Sequence, residues 1–256
     1  MENNLKEKIL SQVKKIKKGE VKSYKQIAKL AGKEKAFRYV ANLMAKNRSS
    51  EIPCHRVVKN DLIIGGYFGS EKNSWKKLAL LLKEGNVVVM PTDTIYGICA
   101  SSLDKKSVEK VYKLRKRNPK KPCIILISSL DDLKTFGVEP TKKEFEFLKK
   151  VWPGKVSVIL KIKDKNKLKK FKYLHRGIGT LAFRLPKSSF LAKVLKISGP
   201  LIAPSANIEG EKPAETINQA RKYFGDKVLY YDAGRKKGKP SKLIKIVKGK
   251  IEVLRK

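Results

Sequence analysis

Apolar residues recur at Leu5, Ile9, Leu10, Val13 and Ile16, a spacing that predicts an amphipathic helix ended by Lys-Lys-Gly-Glu at 17–20. Ser23 can cap a second helix over Tyr24 to Leu30, which stops at Ala31-Gly32. A third helix is expected from about Lys35 to Lys46, with Phe37, Val40, Ala41 and Met44 on one face. Two short helices about a glycine-containing turn suggest a helix-turn-helix. Val57 to Tyr67 then alternates weakly around Asn60-Asp61, a hairpin signal, before a last helix near Ser74 to Glu84. The pattern over residues 1–85 is therefore that of a winged-helix, mainly α domain.

From Asn86 the texture changes, because β-rich apolar runs alternate with helical ones. Strands are expected at Val87–Met90, Cys123–Ser128, Val156–Ile162, Thr180–Leu185, Leu201–Pro204, Val228–Tyr231, Leu243–Val247 and Ile251–Leu254. Helices are expected near Lys105–Arg115, Thr141–Val151, Ser188–Lys196 and Pro213–Phe224. Residues 86–256 thus read as an α/β domain on a mixed, twisted sheet, joined to the first domain by the short Glu84-Gly85-Asn86.

Charge narrows the range of functions. Among 256 residues, 61 are Lys or Arg against 23 Asp or Glu, a net +38 that suits polyanionic partners such as DNA, RNA or nucleotides. Lysine outnumbers arginine 51 to 10 and is scattered throughout, as a compositional bias alone would produce, so charge does not decide the matter. No apolar run approaches a membrane span, and Met-Glu-Asn-Asn-Leu-Lys at the start has no apolar core of a leader, so a cytoplasmic protein is expected. Cys54, Cys99 and Cys123 form no CxxC pair, which argues against a disulfide framework or a cysteine-rich zinc site. No metal site is assigned, and His175, in a basic loop, is expected to be exposed.

The sharpest local signal is Pro53-Cys54-His55-Arg56-Val57. A thiol is a strong nucleophile only as thiolate, and a neighbouring imidazole and guanidinium can take its proton or lower its pKa. A buried, inert cysteine is the competing reading. The surroundings resemble the DNA-binding domain of the O6-alkylguanine-DNA alkyltransferase family from about Leu5 to Gly85: Gly-Glu-Val-Lys-Ser-Tyr at 19–24, Arg38, Asn47, Pro-Cys-His-Arg-Val at 53–57, Gly66-Tyr67, Leu81-Leu82 and Glu84-Gly85. The resemblance implies Cys54 as alkyl acceptor, His55 as its base through a water, and Glu84 as the carboxylate orienting the imidazole. It implies Arg38 as the wedge that replaces a flipped guanine in double-stranded DNA, with Tyr24, Asn47 and Arg56 completing the DNA-binding set. The additional N-terminal domain that full alkyltransferases usually carry is not expected, as in the alkyltransferase-like proteins that bind lesions without repairing them. Those usually lack the cysteine that stands here at Cys54, so repair and sensing both stay open.

In the second domain no Walker A loop and no G-x-G-x-x-G follows a strand, so side chains would have to hold any nucleotide. Four segments concentrate polar groups: Pro91-Thr-Asp-Thr-Ile-Tyr-Gly97, Lys113 to Pro122, Phe183-Arg-Leu-Pro186, and Ala203-Pro-Ser-Ala-Asn207. Each alone is an ordinary strand exit or solvated loop. In this order, with Trp152-Pro-Gly154, they resemble the YrdC/Sua5 family of threonylcarbamoyl-AMP synthases over about Leu78 to Lys256. The resemblance implies an open, twisted α/β fold with a basic cavity. It also implies the conversion of L-threonine, bicarbonate and ATP to threonylcarbamoyl-AMP and pyrophosphate, for the t6A modification of tRNA.

By that resemblance Thr92, Thr94 and Tyr96 hold threonine; Arg115, Arg117 and Lys121 bind and stabilise the phosphates, with Mg2+ accompanying ATP. Arg184, Ser205 and Asn207 position the nucleotide, and Ser241 and Arg255 close the site. Cys99 and Cys123 are packing residues. Arg115 stands where the family usually has lysine, and the usual Ser-Thr-Ile-Val-Asp reads Ser241-Lys-Leu-Ile-Lys245, which puts the C-terminal part of the nucleotide site in doubt. The expected partners are these substrates, DNA, tRNA and the tRNA threonylcarbamoyl-transferase machinery, with no membrane. The alternative is a non-catalytic protein that grips RNA in the basic cavity and damaged DNA on the winged helix.

Overall fold

A computed structural model describes residues 2–247 and 250–256. The N-terminal part runs α1 (Glu2–Lys14), β1 (Lys22–Ser23), α2 (Tyr24–Leu30), α3 (Phe37–Lys46), β2 (Val57–Val58) and α4 (Ser74–Lys83). Ser23 caps α2 as expected: its hydroxyl accepts from the Gln26 amide while the Gln26 side chain accepts from the Ser23 amide, which satisfies two otherwise orphaned donors. Ile9, Val13, Ile27, Ala28 and Val40 form the small core, with no exposed surface, and the two helices of the turn meet across it.

The expected hairpin over 57–67 does not form. β2 pairs in parallel with β1 instead, and the chain turns over Lys59–Ile63 and leaves its partner arm elsewhere. Ile64 N–H donates to Tyr230 O at 2.8 Å, and Tyr230 N–H donates to Leu62 O at 3.1 Å. The second arm is captured because Tyr230 lies on the outermost strand of the large sheet, whose free edge offers unpaired backbone groups that a hairpin partner does not.

The remaining elements are β3 (Val88–Pro91), β4 (Tyr96–Ser101), α5 (Lys105–Arg115), β5 (Ile124–Leu126), α6 (Asp132–Thr135), α7 (Lys142–Val151), β6 (Val156–Lys161), α8 (Lys165–Lys170), α9 (Lys172–His175), β7 (Thr180–Arg184), α10 (Ser189–Ser198), β8 (Leu201–Ile202), α11 (Ile217–Phe224), β9 (Leu229–Tyr230), β10 (Lys242–Val247) and β11 (Lys250–Arg255). The strands build a nine-stranded mixed sheet in the order β11-β10-β6-β7-β5-β8-β4-β3-β9. Asp104 caps α5 and Thr141 caps α7, the latter with a capping box closed by Glu144.

β4 was not expected, since Pro91–Gly97 reads as a polar turn. All six of its residues are buried, and it pairs antiparallel with β3 through Val88–Pro91. Gly97 is required there by close approach: a Cβ would lie 3.0 Å from Thr92 Cγ2 and 3.3 Å from Pro204 O. His175 is likewise not exposed. Its Nδ1 accepts from the Gly177 and Gly179 amides and its Nε2 lies 2.9 Å from Leu168 O, so it closes the turn before β7 as a buried structural residue.

Two apolar layers cover the sheet. One packs α5, α7 and α11 through Val108, Val111, Leu148 and Phe224; the other packs α10 and α4, with Leu78, Ala79, Leu81 and Leu82 against Leu191, Val194, Val88 and Met90. α4 is therefore shared. Its first residue, Ser74, hydrogen-bonds Tyr231 at 2.9 Å, just past the edge strand.

Candidate functional site

A cavity of about 370 Å³ sits on one face of the sheet where small residues leave a hollow. Period-two alternation sends Ile159, Thr180, Ala182 and Arg184 into it, while Val158, Leu181 and Phe183 on the same strands face the core. β10 runs parallel to β6 with Leu243 opposite Ser157 and Lys245 opposite Ile159, extending this floor. The pairing of β10 with β11 shifts register between Leu243 and Ile244, and both Leu254 and Arg255 line the hollow.

Each wall positions specific groups. The Thr92 hydroxyl lies 3.0 Å from the Thr94 hydroxyl, and both side chains line the cavity. The Tyr96 hydroxyl donates to Gly234 O at 2.8 Å and accepts from the Ala233 amide, so the phenol also anchors the segment that leads to Ser241. Arg115, at the end of α5, is 3 % exposed: Nε donates to Asn207 O at 3.0 Å, and Nη2 donates to Ser205 Oγ and Asn207 Oδ1. Its Nη1 is buried without a partner. Arg184 pairs with Asp93 at 2.8 Å, both side chains almost fully buried, with Arg184 Nε and Asp93 Oδ2 unpartnered. Asp93 had no role assigned from the sequence; it stood inside a quoted segment, but its arginine lies 91 positions away. The Ser241 hydroxyl meets the Ser157 hydroxyl at 2.8 Å, and Arg255 donates to Ser241 O at 2.9 Å and to its hydroxyl.

Among the described residues, every charged side chain lining this cavity is a cation: Arg115, Arg117, Arg184, Lys245 and Arg255. Burial lowers the pKa of Arg115, with the nearby Arg117 charge adding to it. Burial lowers that of Arg255 too, helped by Arg184 and Arg117. Cations that repel one another across a hollow are stabilised by an anion placed between them.

Two expected ligands lie elsewhere. Lys121 is not on the cavity; its exposed ammonium stands 3.5 Å from Glu209, which also attracts Arg117. Asn207 stands behind Arg115, its amide donating to Ile208 O and Glu211 O, and so orients the guanidinium rather than facing the hollow.

The second centre is the turn Cys54–Arg56. Cys54 is 3 % exposed and opens on a hollow of about 300 Å³ shared with Tyr24, Tyr67, Glu71 and Lys77. Burial pushes its thiol pKa up, while a hydrogen bond from Asn47 Nδ2, at 3.1 Å, and the Lys77 charge oppose that rise. His55 Nε2 lies 3.0 Å from Glu84 Oε1, as expected. The Glu84 carboxyl is pushed up by burial, but hydrogen bonds from His55 and Arg56 outweigh this and hold it at about 2.

Arg38 is exposed on α3, free to reach a groove. Arg56 and Asn47, expected on DNA, are committed inside the fold. Arg56 donates to both Glu84 oxygens and to Ile16 O, and Asn47 donates to the Cys54 sulfur. Lys77 was missed. It is 2 % exposed, donates to Val57 O, and burial lowers its pKa to about 8. The available signal was its position between Ser74 and Leu81 on the apolar face of α4.

Residues 80–256 match the model of the Sua5/YciO/YrdC family, described as "Telomere recombination". The chain belongs to the Sua5/YciO/YrdC family. Residues 4–86 match a second model, described as "6-O-methylguanine DNA methyltransferase, DNA binding domain", so a Sua5/YciO/YrdC part is fused to an alkyltransferase-like part. Similar curated proteins include the threonylcarbamoyl-AMP synthase of Pyrococcus abyssi, 30 % identical over 60 % of this chain and 44 % of the relative. That of Bacillus subtilis is 32 % identical over 54 % of this chain and 39 % of the relative, so the chain spans less than half the length of these two. A putative threonylcarbamoyl-AMP synthase of Methanocaldococcus jannaschii is 32 % identical over 75 % of this chain and 91 % of its own length. Among solved structures, P. abyssi Sua5 complexed with L-threonine aligns with TM-score 0.64 and 26 % identity over 75 % of this chain and 56 % of the neighbour. E. coli YciO aligns with TM-score 0.64 and 20 % identity over 76 % and 92 %, a likeness of fold. No helix among the described residues is long and apolar enough to cross a membrane.

Proposed function

We propose that the cavity of residues 86–256 makes threonylcarbamoyl-AMP from L-threonine, bicarbonate and ATP. The observation that carries this reading is a lining whose charged side chains, among the described residues, are all cations, around a hollow that Thr92 and Thr94 also line, the Thr92 hydroxyl being held in its own turn by Ile95 O. Such a site can seat a polyphosphate and an amino acid side by side. The named relatives and the threonine complex of P. abyssi Sua5 support the same assignment.

In the reaction, the threonine amine attacks carbon dioxide released from bicarbonate with loss of water. One carbamate oxygen then bonds to the ATP α-phosphorus as the bond to pyrophosphate breaks. The buried Arg115 Nη1 is an unpartnered donor already fixed by Asn207 and Ser205, so it can meet developing phosphate charge without reorganising. Arg117 and Arg184 add charge at the wall, and the Tyr96-anchored segment shields the labile carbamate from water. Mg2+ fits poorly as a protein-held ion. Among the described residues no carboxylate lines the cavity, Asp93 and Glu209 are engaged by arginine or lysine, and no cluster of three metal-ligating side chains occurs. Mg2+ is assigned only to ATP as it arrives, and no step is routed through it. The product feeds t6A modification of tRNA through a transferase partner.

Residues 1–85 are assigned to double-stranded DNA carrying O6-alkylguanine. Arg38 acts as wedge, Tyr24 as phosphate contact, Cys54 as acceptor and the His55–Glu84 pair as the proton relay. Burial pushes the Cys54 thiol pKa up, so in this reading the imidazole that Glu84 holds takes the thiol proton through a water as sulfur attacks the alkyl carbon and guanine leaves.

The test is pyrophosphate release from ATP with bicarbonate, with and without L-threonine, for wild type and Arg117→Ala. Threonine-dependent release that the variant lacks supports the synthase. Tight RNA binding without turnover would replace it with the binding-module reading.

A further inference from the structure

We infer that Lys245 is a polyphosphate ligand, and that with it the cavity neutralises the nucleotide's phosphates by side chains alone, without needing a divalent cation. This rests on the synthase reading. Lys245 lies on β10 opposite Ile159, on the strand face that Leu243 also presents to the hollow, whereas Ile244 between them is 2 % exposed and packs into the core. Its place on the floor is thus fixed by the strand alternation and not by a mobile loop. Among the described residues Lys245 forms no ion pair, although Glu252 is its register neighbour on β11. Its charge is available to a ligand.

Arg184 spends part of its charge on Asp93, and Arg117 is drawn towards Glu209. Arg115 and Arg255 bond only neutral partners. Three full charges therefore remain for a ligand, from Arg115, Arg255 and Lys245, while among the described residues no lining carboxylate is present to recruit a metal. A lysine ammonium is a compact point charge that suits a phosphate oxygen, whereas a carboxylate at this place would need a bridging cation to tolerate the same oxygen.

Calorimetric titration of the full chain with inorganic pyrophosphate, in EDTA and in Mg2+, tests this on wild type, Lys245→Gln and Lys245→Asp, each first checked for an unchanged melting temperature. Wild type is expected to bind in EDTA within about threefold of its Mg2+ affinity. Lys245→Gln should weaken EDTA binding about tenfold, and Lys245→Asp more, with Mg2+ restoring the Asp variant. Wild-type binding that is lost in EDTA overturns the inference, as does EDTA binding unchanged in both variants. Pyrophosphate binding as expected, without any threonine-dependent turnover, would instead remove the synthase reading and leave a polyphosphate site.

Discussion

The two centres of this chain use positive charge in opposite ways. Around Cys54 the cations are consumed inside the fold: Arg56 is spent on Glu84 and Ile16, and Lys77 on Val57 O. In the sheet cavity the cations outnumber their carboxylates and point into empty space. Net charge alone separates neither case from a general lysine bias. The difference teaches that a basic protein is read from which charges lack partners, since an unpaired buried donor marks where a ligand's charge belongs.

The sharpest way to break the comparison is to remove the proposed alkyl acceptor from one centre and watch the other. Cys54→Ser should abolish transfer of labelled methyl from O6-methylguanine DNA to protein while threonine-dependent pyrophosphate release stays at the wild-type level. Next, Arg115→Ala should lower that release by about 100-fold or more, because it deletes the buried, fixed donor proposed to meet the reacting phosphate, while methyl transfer is retained.

Smaller effects test the paired region through stability. Glu84 titrates at about 2 in the fold against its ordinary 4.5, so its ionised form stabilises the native state above pH 4.5 and that contribution fades as pH falls towards 2. The contribution is on the order of 3 kcal/mol. Glu84→Gln should flatten the acid limb of a melting-temperature profile over that window. Lys77 runs the other way. With its pKa lowered from 10.5 to about 8, the unfolded chain binds the proton more tightly, so stability should rise as pH climbs from 8 to 10.5. Lys77→Met should remove that rise. The smallest effect is expected at the junction, where Tyr231→Phe deletes the hydrogen bond to Ser74 and should cost about 1 kcal/mol in chemical denaturation.

Much of the fold was legible in the sequence because the signals were local. Tyr24–Leu30 and Lys105–Arg115 emerged as expected, since a cap, an apolar stripe and a stop lie within a dozen residues of one another. β4 was hidden because it is buried on both faces and carries a glycine whose need arises from Thr92 and Pro204, not from its neighbours. The missing hairpin has the same cause: what Ile64 pairs with is Tyr230, far along the chain. For the candidate sites, residue type and order singled out Cys54, Thr92, Arg115 and Arg184, each of which lines one of the two hollows. They did not show that Lys121 turns to Glu209, that Asn207 stands behind Arg115, or that Arg56 faces inward, because each depends on a carboxylate or carbonyl from a distant element.

The central claim is that the all-cation cavity joins threonine, bicarbonate and ATP. The most direct measurement is mass spectrometry of the nucleotide products from purified chain given ATP, L-threonine and isotopically labelled bicarbonate. The account predicts a threonine-containing adenylate that carries the bicarbonate label in wild type and is missing in Arg115→Ala. Folded wild-type protein that binds ATP yet forms no labelled adenylate would contradict it.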